Sequence, residues 1–250
     1  MPRKVDQAER DATITNIKAT ARALMAEKGS VGLSLRAIAR AIGLSAPSLY
    51  HYYDSLDDLI TALIVDAFNA QADFCESARQ DAADQPPAMR MFAVIRAYRQ
   101  YALKYPHDFQ LIYGSPIPGY HAPPEVTVPA SARTLIAFTR AMVDIFAAGH
   151  ISVPPEYQHI PPGTLPALRQ AAEFAAQMGA DHAVLPTGAH GDFDLLPLYL
   201  VLAGWGQLHG IVMLELFGHL PPTAGDMDAF YDEQMRHMMR VIGVDMATVT

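Results

Sequence analysis

Apolar residues along this chain recur at spacings of three and four almost throughout, and no run alternates as a half-buried strand would. The first stripe falls within 11–28, with Ile14, Ile17, Ala21, Leu24 and Met25 turned one way and Gly29 as the stop. A short second helix carries Leu35, Ile38, Ala39 and Ile42, and Ser34 stands where an N-cap hydroxyl would accept from an orphan backbone N–H. Gly43 follows at a position that needs a left-handed turn, a conformation open to a residue without Cβ. Leu44 plugs the core behind the turn. Ser45 caps a third short helix, and Pro47 sits in its first turn, where a missing N–H does little harm.

The longer helices follow. Helix four starts near Ser55, places Leu56, Leu59, Ile60, Leu63, Ile64, Ala67 and Phe68 on one stripe, and continues to about 79. After the break at Pro86-Pro87, 88–105 shows Met91, Val94, Ile95, Tyr98, Tyr101 and Ala102 at helical spacing. Pro106 ends that helix, and 107–113 is a short sixth. Five prolines and two glycines between 114 and 129 predict a loop over that whole stretch. Further helices are predicted over 130–148, 167–179, 193–217 and 225–242, with connections at 150–166 and 180–192. The expectation is an all-α protein of two domains. Residues 1–55 form a three-helix head that extends into helix four over about 55–67, and 68–250 form a larger helical bundle.

Composition narrows the picture. Half of the 250 residues are apolar, which fits a globular chain, and the single Cys75 excludes an intramolecular disulfide. The first residues have no apolar run behind their basic groups and do not read as a secretory signal. The apolar stretch 195–220 contains Pro197, Gln207, His209 and Glu215, so a buried core or interface helix is expected in place of a membrane span. A cytoplasmic protein is the expectation that fits these readings.

The net charge of −8 is unevenly spread. Residues 1–55 hold eight basic and five acidic side chains, a net +3, and the remainder carries −11. That segregation lets the head approach phosphates while the bulk is repelled. A surplus of +3 supports few phosphate contacts per subunit, so two subunits are needed for useful affinity. Helix, three-residue turn, helix is also the geometry that presents a recognition helix to a DNA major groove.

The pattern Ile38-Ala39, Gly43, Ser45 to Ser48, Leu49-Tyr50, Tyr52-Tyr53 and Leu59 resembles the DNA-binding domain of TetR-family transcriptional regulators, over about 12–67. One position departs: Leu56 stands where that family usually has a phosphate-contacting Lys. The resemblance implies that Ser34, Arg36, Ser45, Ala46, Pro47, Ser48, Tyr50, His51 and Tyr52 form the DNA-binding set. Ala46 and Pro47 would make apolar contacts, Ser48 would donate to a base or phosphate, and Tyr50 and Tyr52 would hold phosphates. Arg36 is the candidate for bidentate reading of guanine, with a solvated surface charge as its plainer role. Tyr53 reads as packing. Arg3 and Lys4 either follow a minor groove or do nothing.

Farther on, Trp205, Leu208-His209-Gly210 and Leu214-Glu215-Leu216, with the segment from Tyr113 to Tyr120, look like the WHG-type ligand-binding domain of some TetR-family members. Tyr98, Tyr113, Phe138, Met142, Trp205, His209 and Met213 are the candidate ligand residues, because aromatics and Met suit an adaptable apolar cavity. The same residue types also build ordinary cores. No cofactor is expected. The ten His residues are scattered, mostly in connections, and give no convergent metal set. No nucleophile elbow, phosphate loop or dinucleotide fingerprint is present, so no enzyme is expected. Asp57-Asp58 opens helix four, where the helix dipole favours acidic residues.

The resemblance therefore implies a repressor. It would bind double-stranded DNA at a palindromic operator as a homodimer through its last two helices. A small effector in the C-terminal domain would release it. The competing reading is a small-molecule-binding protein whose DNA binding is weakened or lost.

Overall fold

The computed structural model describes residues 7–29, 33–178 and 194–246. The tail residues Arg3 and Lys4 and the expected linker 180–192 lie outside them. Among the described residues every regular element is a helix, and one isolated antiparallel bridge joins Ile151 to Val244. The chain divides into two compact units, Met1–Ala67 with Tyr105–Val128, and Phe68–Lys104 with Pro129–Thr250.

The first unit is built on α1 (Gln7–Lys28), α2 (Leu35–Ala41) and α3 (Ala46–Leu49). Ile17, Ala21, Leu35, Ile38 and Leu49 are buried, so the helical stripes do become a small core. Ser34 Oγ accepts from Ala37 N at 3.2 Å, and Ser45 Oγ from Ser48 N at 3.2 Å, which caps both short helices. Gly43 has φ +72° between them. The first part of α4 (Leu56–Asp81) contributes Leu59, Ile60 and Leu63 to the same unit.

Tyr105–Val128 belongs to this unit as well, although the sequence reading gives it to the second domain. It contains α6 (Pro106–Tyr113). Arg22 Nε on α1 donates to Asp108 on α6 at 2.9 Å, and Lys18 Nζ to Asp66 on α4 at 2.9 Å. The hydroxyls of Tyr120 and Thr61 lie 2.9 Å apart. These pairings are long-range, and nothing in the local pattern announces them.

In the second unit α5 (Pro87–Lys104) is buried on most sides, through Met91, Phe92, Ile95, Tyr98 and Tyr101. It packs against α10 (Leu196–Leu216) and α12 (Met227–Val241), which also pack on each other. α7 (Pro124–Ala147) and α9 (Leu165–Gln177) meet the start of α10 in a second cluster around Ile136, Leu168, Ala172 and Leu198. Two single-turn pieces, α8 (Pro155–Gln158) and α11 (Pro221–Ala224), complete the described elements.

The predicted loop 114–129 is corrected here, because α7 already begins at Pro124. A proline in the first turn forfeits an N–H that would have no partner anyway. Pro129 then removes only one rung of a helix that runs on to Ala147. Thr127 N donates to Pro123 O at 3.0 Å and holds the entry.

Arg99 ties three helices of this unit together. Its Nε and Nη2 donate to the two carboxylate oxygens of Glu215 at 2.7 and 2.6 Å, and its Nη1 to Asp228 at 2.6 Å. The guanidinium also lies 5.0 Å from the Tyr231 ring centroid, and the Tyr231 hydroxyl donates to Ile95 O at 2.9 Å. The hydrogen bonds to Glu215 hold Arg99 well above the ordinary guanidinium range, against the opposing effect of burial. A paired, fork-shaped contact of this kind is the form in which charge survives burial.

α10 is the one described helix long and apolar enough to cross a membrane. In this unit its Leu198, Leu200, Val201, Leu208 and Val212 are buried, as in the core helix of a bundle. Leu208 and Val212 on α10 and Ile242 beyond α12 point into their own protomer, at 2%, 0% and 4% exposure. The apolar groups left outside are Leu202, Leu214 and Phe217 on or just past α10 and Val241 on α12.

Candidate nucleic-acid interface and effector cavity

The two cap hydroxyls that start α2 and α3 also set the candidate DNA face. Ser34 and Arg36 are exposed at the start of α2, and Arg40 is exposed at its end. Ser45 is exposed, and its Oγ lies 2.7 Å from Ser48 Oγ, so Ser48 is partly occupied inside the cap. Ala46 is half-buried, Pro47 is exposed, and Tyr50 and His51 follow as exposed groups just past α3. Leu49 is fully buried between them and anchors this short helix to the core. The structure thus presents Arg36, Pro47, Tyr50 and His51 outward on the same small unit.

Tyr52 is held differently. The Arg10 guanidinium sits 5.1 Å from its ring centroid, and Arg10 Nη2 donates to His51 O at 3.3 Å. Arg10 therefore clasps Tyr52 and the end of α3, a role the sequence reading missed because the contact to His51 spans forty-one positions. Tyr53 is half-buried; burial first, and the Asp66 carboxylate second, push its hydroxyl above the usual phenol value, with Arg22 opposing.

Counting charges overstates what faces solvent. Lys18 and Arg22 are committed to Asp66 and Asp108, and Arg10 to the clasp. On α2 the exposed cations are Arg36 and Arg40.

In the second unit the structure brings four candidate ligand residues into one cluster. The Tyr98 ring lies 5.2 Å from Trp205 and 6.0 Å from Phe138, both edge-on, and Phe138 is 5.7 Å from Trp205. Trp205 and His209 are one helical turn apart with near-parallel rings, 6.4 Å between centroids. Tyr98 OH lies 2.8 Å from His209 Nδ1, and burial lowers the affinity of His209 for a proton. A neutral imidazole that accepts from the phenol fits both facts.

Beside this cluster is a cavity of about 20 Å³, lined by Phe138, Met142 and Trp205 together with Met91, Met238 and Met239. The last three are not among the candidate ligand residues read from sequence; their signal is the recurrence of Met on the inward stripes of α5 and α12. The volume holds about one water-sized sphere, far below a drug-sized pocket of about 300–1,000 Å³. Met213 is half-buried and does not line the cavity. Tyr113 belongs to the first unit, where its ring lies 4.9 Å from Phe109.

Residues 91–238 match a family model described as the tetracyclin repressor-like C-terminal domain, and residues 17–63 match that of bacterial regulatory proteins, tetR family. Two relatives described as HTH-type transcriptional regulators, Mb1846 of Mycobacterium bovis and Rv1816 of Mycobacterium tuberculosis, are each 33% identical over 218 residues, 86% of this chain and 86% of theirs. The crystal structure of the regulatory protein SCO4313 is similar at a TM-score of 0.67 and 29% identity, covering 96% of this chain and all of that one. The TetR-family regulator PfmR from Thermus thermophilus shares the fold at a TM-score of 0.51 and 16% identity, over 90% of this chain and 97% of that one.

Proposed function

This chain belongs to the TetR family of DNA-binding transcriptional regulators, and from that premise we propose that it is a cytoplasmic repressor released from its operator by a small ligand. The observation that carries the reading is the pair of capped short helices with Arg36, Tyr50 and His51 left outside a closed core. Arg36 reads a base edge, Tyr50 fixes register on a phosphate, and Pro47 offers apolar contact to a thymine methyl.

One head with two exposed cations on α2 binds phosphate weakly, so the functional unit is a homodimer. The surface proposed to pair is the outer side of α10 and the end of α12, where Leu202, Leu214, Phe217 and Val241 stay 41–52% exposed in the single chain. Two copies then read half-sites about 34–36 Å apart on a palindrome.

The effector site is the cavity beside Tyr98 and Trp205. It is nearly filled, so a ligand enters by displacing Met side chains, whose unbranched stems move at low cost. Polar recognition falls to the Tyr98–His209 pair. Displacement of α4 by the opened bundle lowers DNA affinity, and the two bindings are linked reciprocally by about 1–3 kcal/mol. Regulation is thus by binding, with no catalytic step.

DNA footprinting upstream of the chain's own gene tests this. The expected result is two symmetric protected half-sites one helical turn apart. A single asymmetric half-site that saturates with one subunit overturns the palindrome and the dimer together.

A further inference from the structure

The first unit holds a space of its own, lined by residues of α4 and of the segment Tyr105–Val128. It is a half-open cleft of about 250 Å³ between the first turn of α4 and the turn Ile117-Pro118-Gly119-Tyr120. That turn has the chemistry of a type II bend, with proline second and a glycine of φ +80° third, closed by Tyr120 N donating to Ile117 O at 3.1 Å. It therefore presents Ile117 and Tyr120 as a fixed wall. Leu33, Leu56 and Ile60 form the opposite apolar side. An apolar cavity of about 150 Å³ already holds benzene, so this cleft has room for an aromatic ring and a short chain.

The polar groups define the rest of the ligand. Thr61 Oγ1 donates its one proton to Asp57 O at 2.8 Å. The hydroxyl of Tyr120, 2.9 Å from Thr61 Oγ1, must then be the donor in that contact. Its oxygen keeps only acceptor capacity. Asp57, also on the lining, is exposed, and its carboxylate makes no hydrogen bond or ion pair among the described residues. The adjacent helix start is already engaged, because Ser55 Oγ accepts from Asp58 N at 3.1 Å and donates to the Asp58 carboxylate at 2.8 Å. Both polar side chains on the cleft thus offer acceptors, one of them charged.

We propose that this cleft is a second ligand site, within the DNA-binding unit, for a small amphiphilic cation. Its ammonium lies between Asp57 and the Tyr120 oxygen, and its apolar body lies on Leu33, Leu56, Ile60 and Ile117.

The test uses the full chain without DNA, so its outcome is independent of whether the protein represses anything. Phenethylamine, phenethyl alcohol and 3-phenylpropionate are titrated separately, with backbone amide NMR shifts at Ile60 and Tyr120 as the readout. The amine is expected to saturate those shifts and to bind tightest. Asp57→Asn is expected to weaken it about fivefold, the contribution of a solvent-exposed ion pair. Leu56→Trp, which fills the cleft, is expected to remove binding. Absence of amine-induced shifts, equal binding of the alcohol, tighter binding of the carboxylate, or an unaltered Asp57→Asn titration each overturns the proposal. Asp57 is exposed, so that variant remains decisive even where Leu56→Trp does not fold.

Discussion

The two units of this molecule treat their polar groups in opposite ways. The first keeps Arg36, Tyr50 and His51 at its surface and spends its buried positions on a small apolar core. The second draws its charge inward, with Arg99 clamped between Glu215 and Asp228 and Tyr98 joined to His209 beside a nearly filled cavity. The first unit thus keeps polar groups at its surface in a fixed arrangement, whereas the second fills its interior almost completely. The contrast also separates the properties that can be perturbed independently, because stability of the bundle and readiness of the head depend on different residues.

The largest way to break that contrast is Glu215→Ala. It leaves the buried Arg99 with the exposed Asp228 as its one remaining carboxylate partner among the described residues, beside the Tyr231 ring. Removing one member of a buried pair costs about 3–5 kcal/mol, and the remaining partner places this variant near the lower end. Urea unfolding should show the loss in the second unit. Unchanged stability would mean that the Arg99 clamp contributes nothing beyond what well-packed neighbours supply.

A smaller effect sharpens the other side. Ser45→Ala removes the hydroxyl that caps α3 and should destabilise the head by about 1 kcal/mol. Hydrogen exchange at α3 amides should accelerate while exchange in α5 stays as it was. Equal acceleration in both would show that the units do not open separately.

The smallest effect concerns protons. Burial lowers the His209 value below the ordinary imidazole 6.5. The unfolded chain therefore takes up that proton first, and stability falls as pH drops below about 6.5, rising again with pH. His209→Gln should flatten the part of this slope that His209 supplies, measured by thermal unfolding between pH 7 and 5. An identical slope in the variant would assign it to other groups.

Much of this architecture was legible because its signals are local. The caps at Ser34 and Ser45, the turn at Gly43 and the stripe through Leu59 and Leu63 all express themselves within one or two helical turns. What was not legible needs the folded chain. The outward side of α10 could not be read because that helix is apolar all round, so periodicity marks no seam. Arg10 on Tyr52 and Lys18 on Asp66 join residues more than forty positions apart, and their commitment removes charge that a simple count leaves available to phosphate. The first turns of α7 were hidden by a composition that argues for a loop, although proline is tolerated where the helix begins. Candidate ligand residues on α5, α7 and α10 converge, but Tyr113 sits with the head because α6 belongs to that unit.

Docking of the face bearing Arg36 and Tyr50 on duplex DNA is open to a salt-dependent titration. Fluorescence anisotropy with a duplex from the region upstream of the gene would compare the native chain with Arg36→Ala at two or more salt concentrations. The logarithm of the native affinity is expected to fall linearly with the logarithm of salt. Arg36→Ala is expected to lose about 1–3 kcal/mol and to relax preference at one base step. A flat salt response with equal affinities for native and variant chains would contradict that docking.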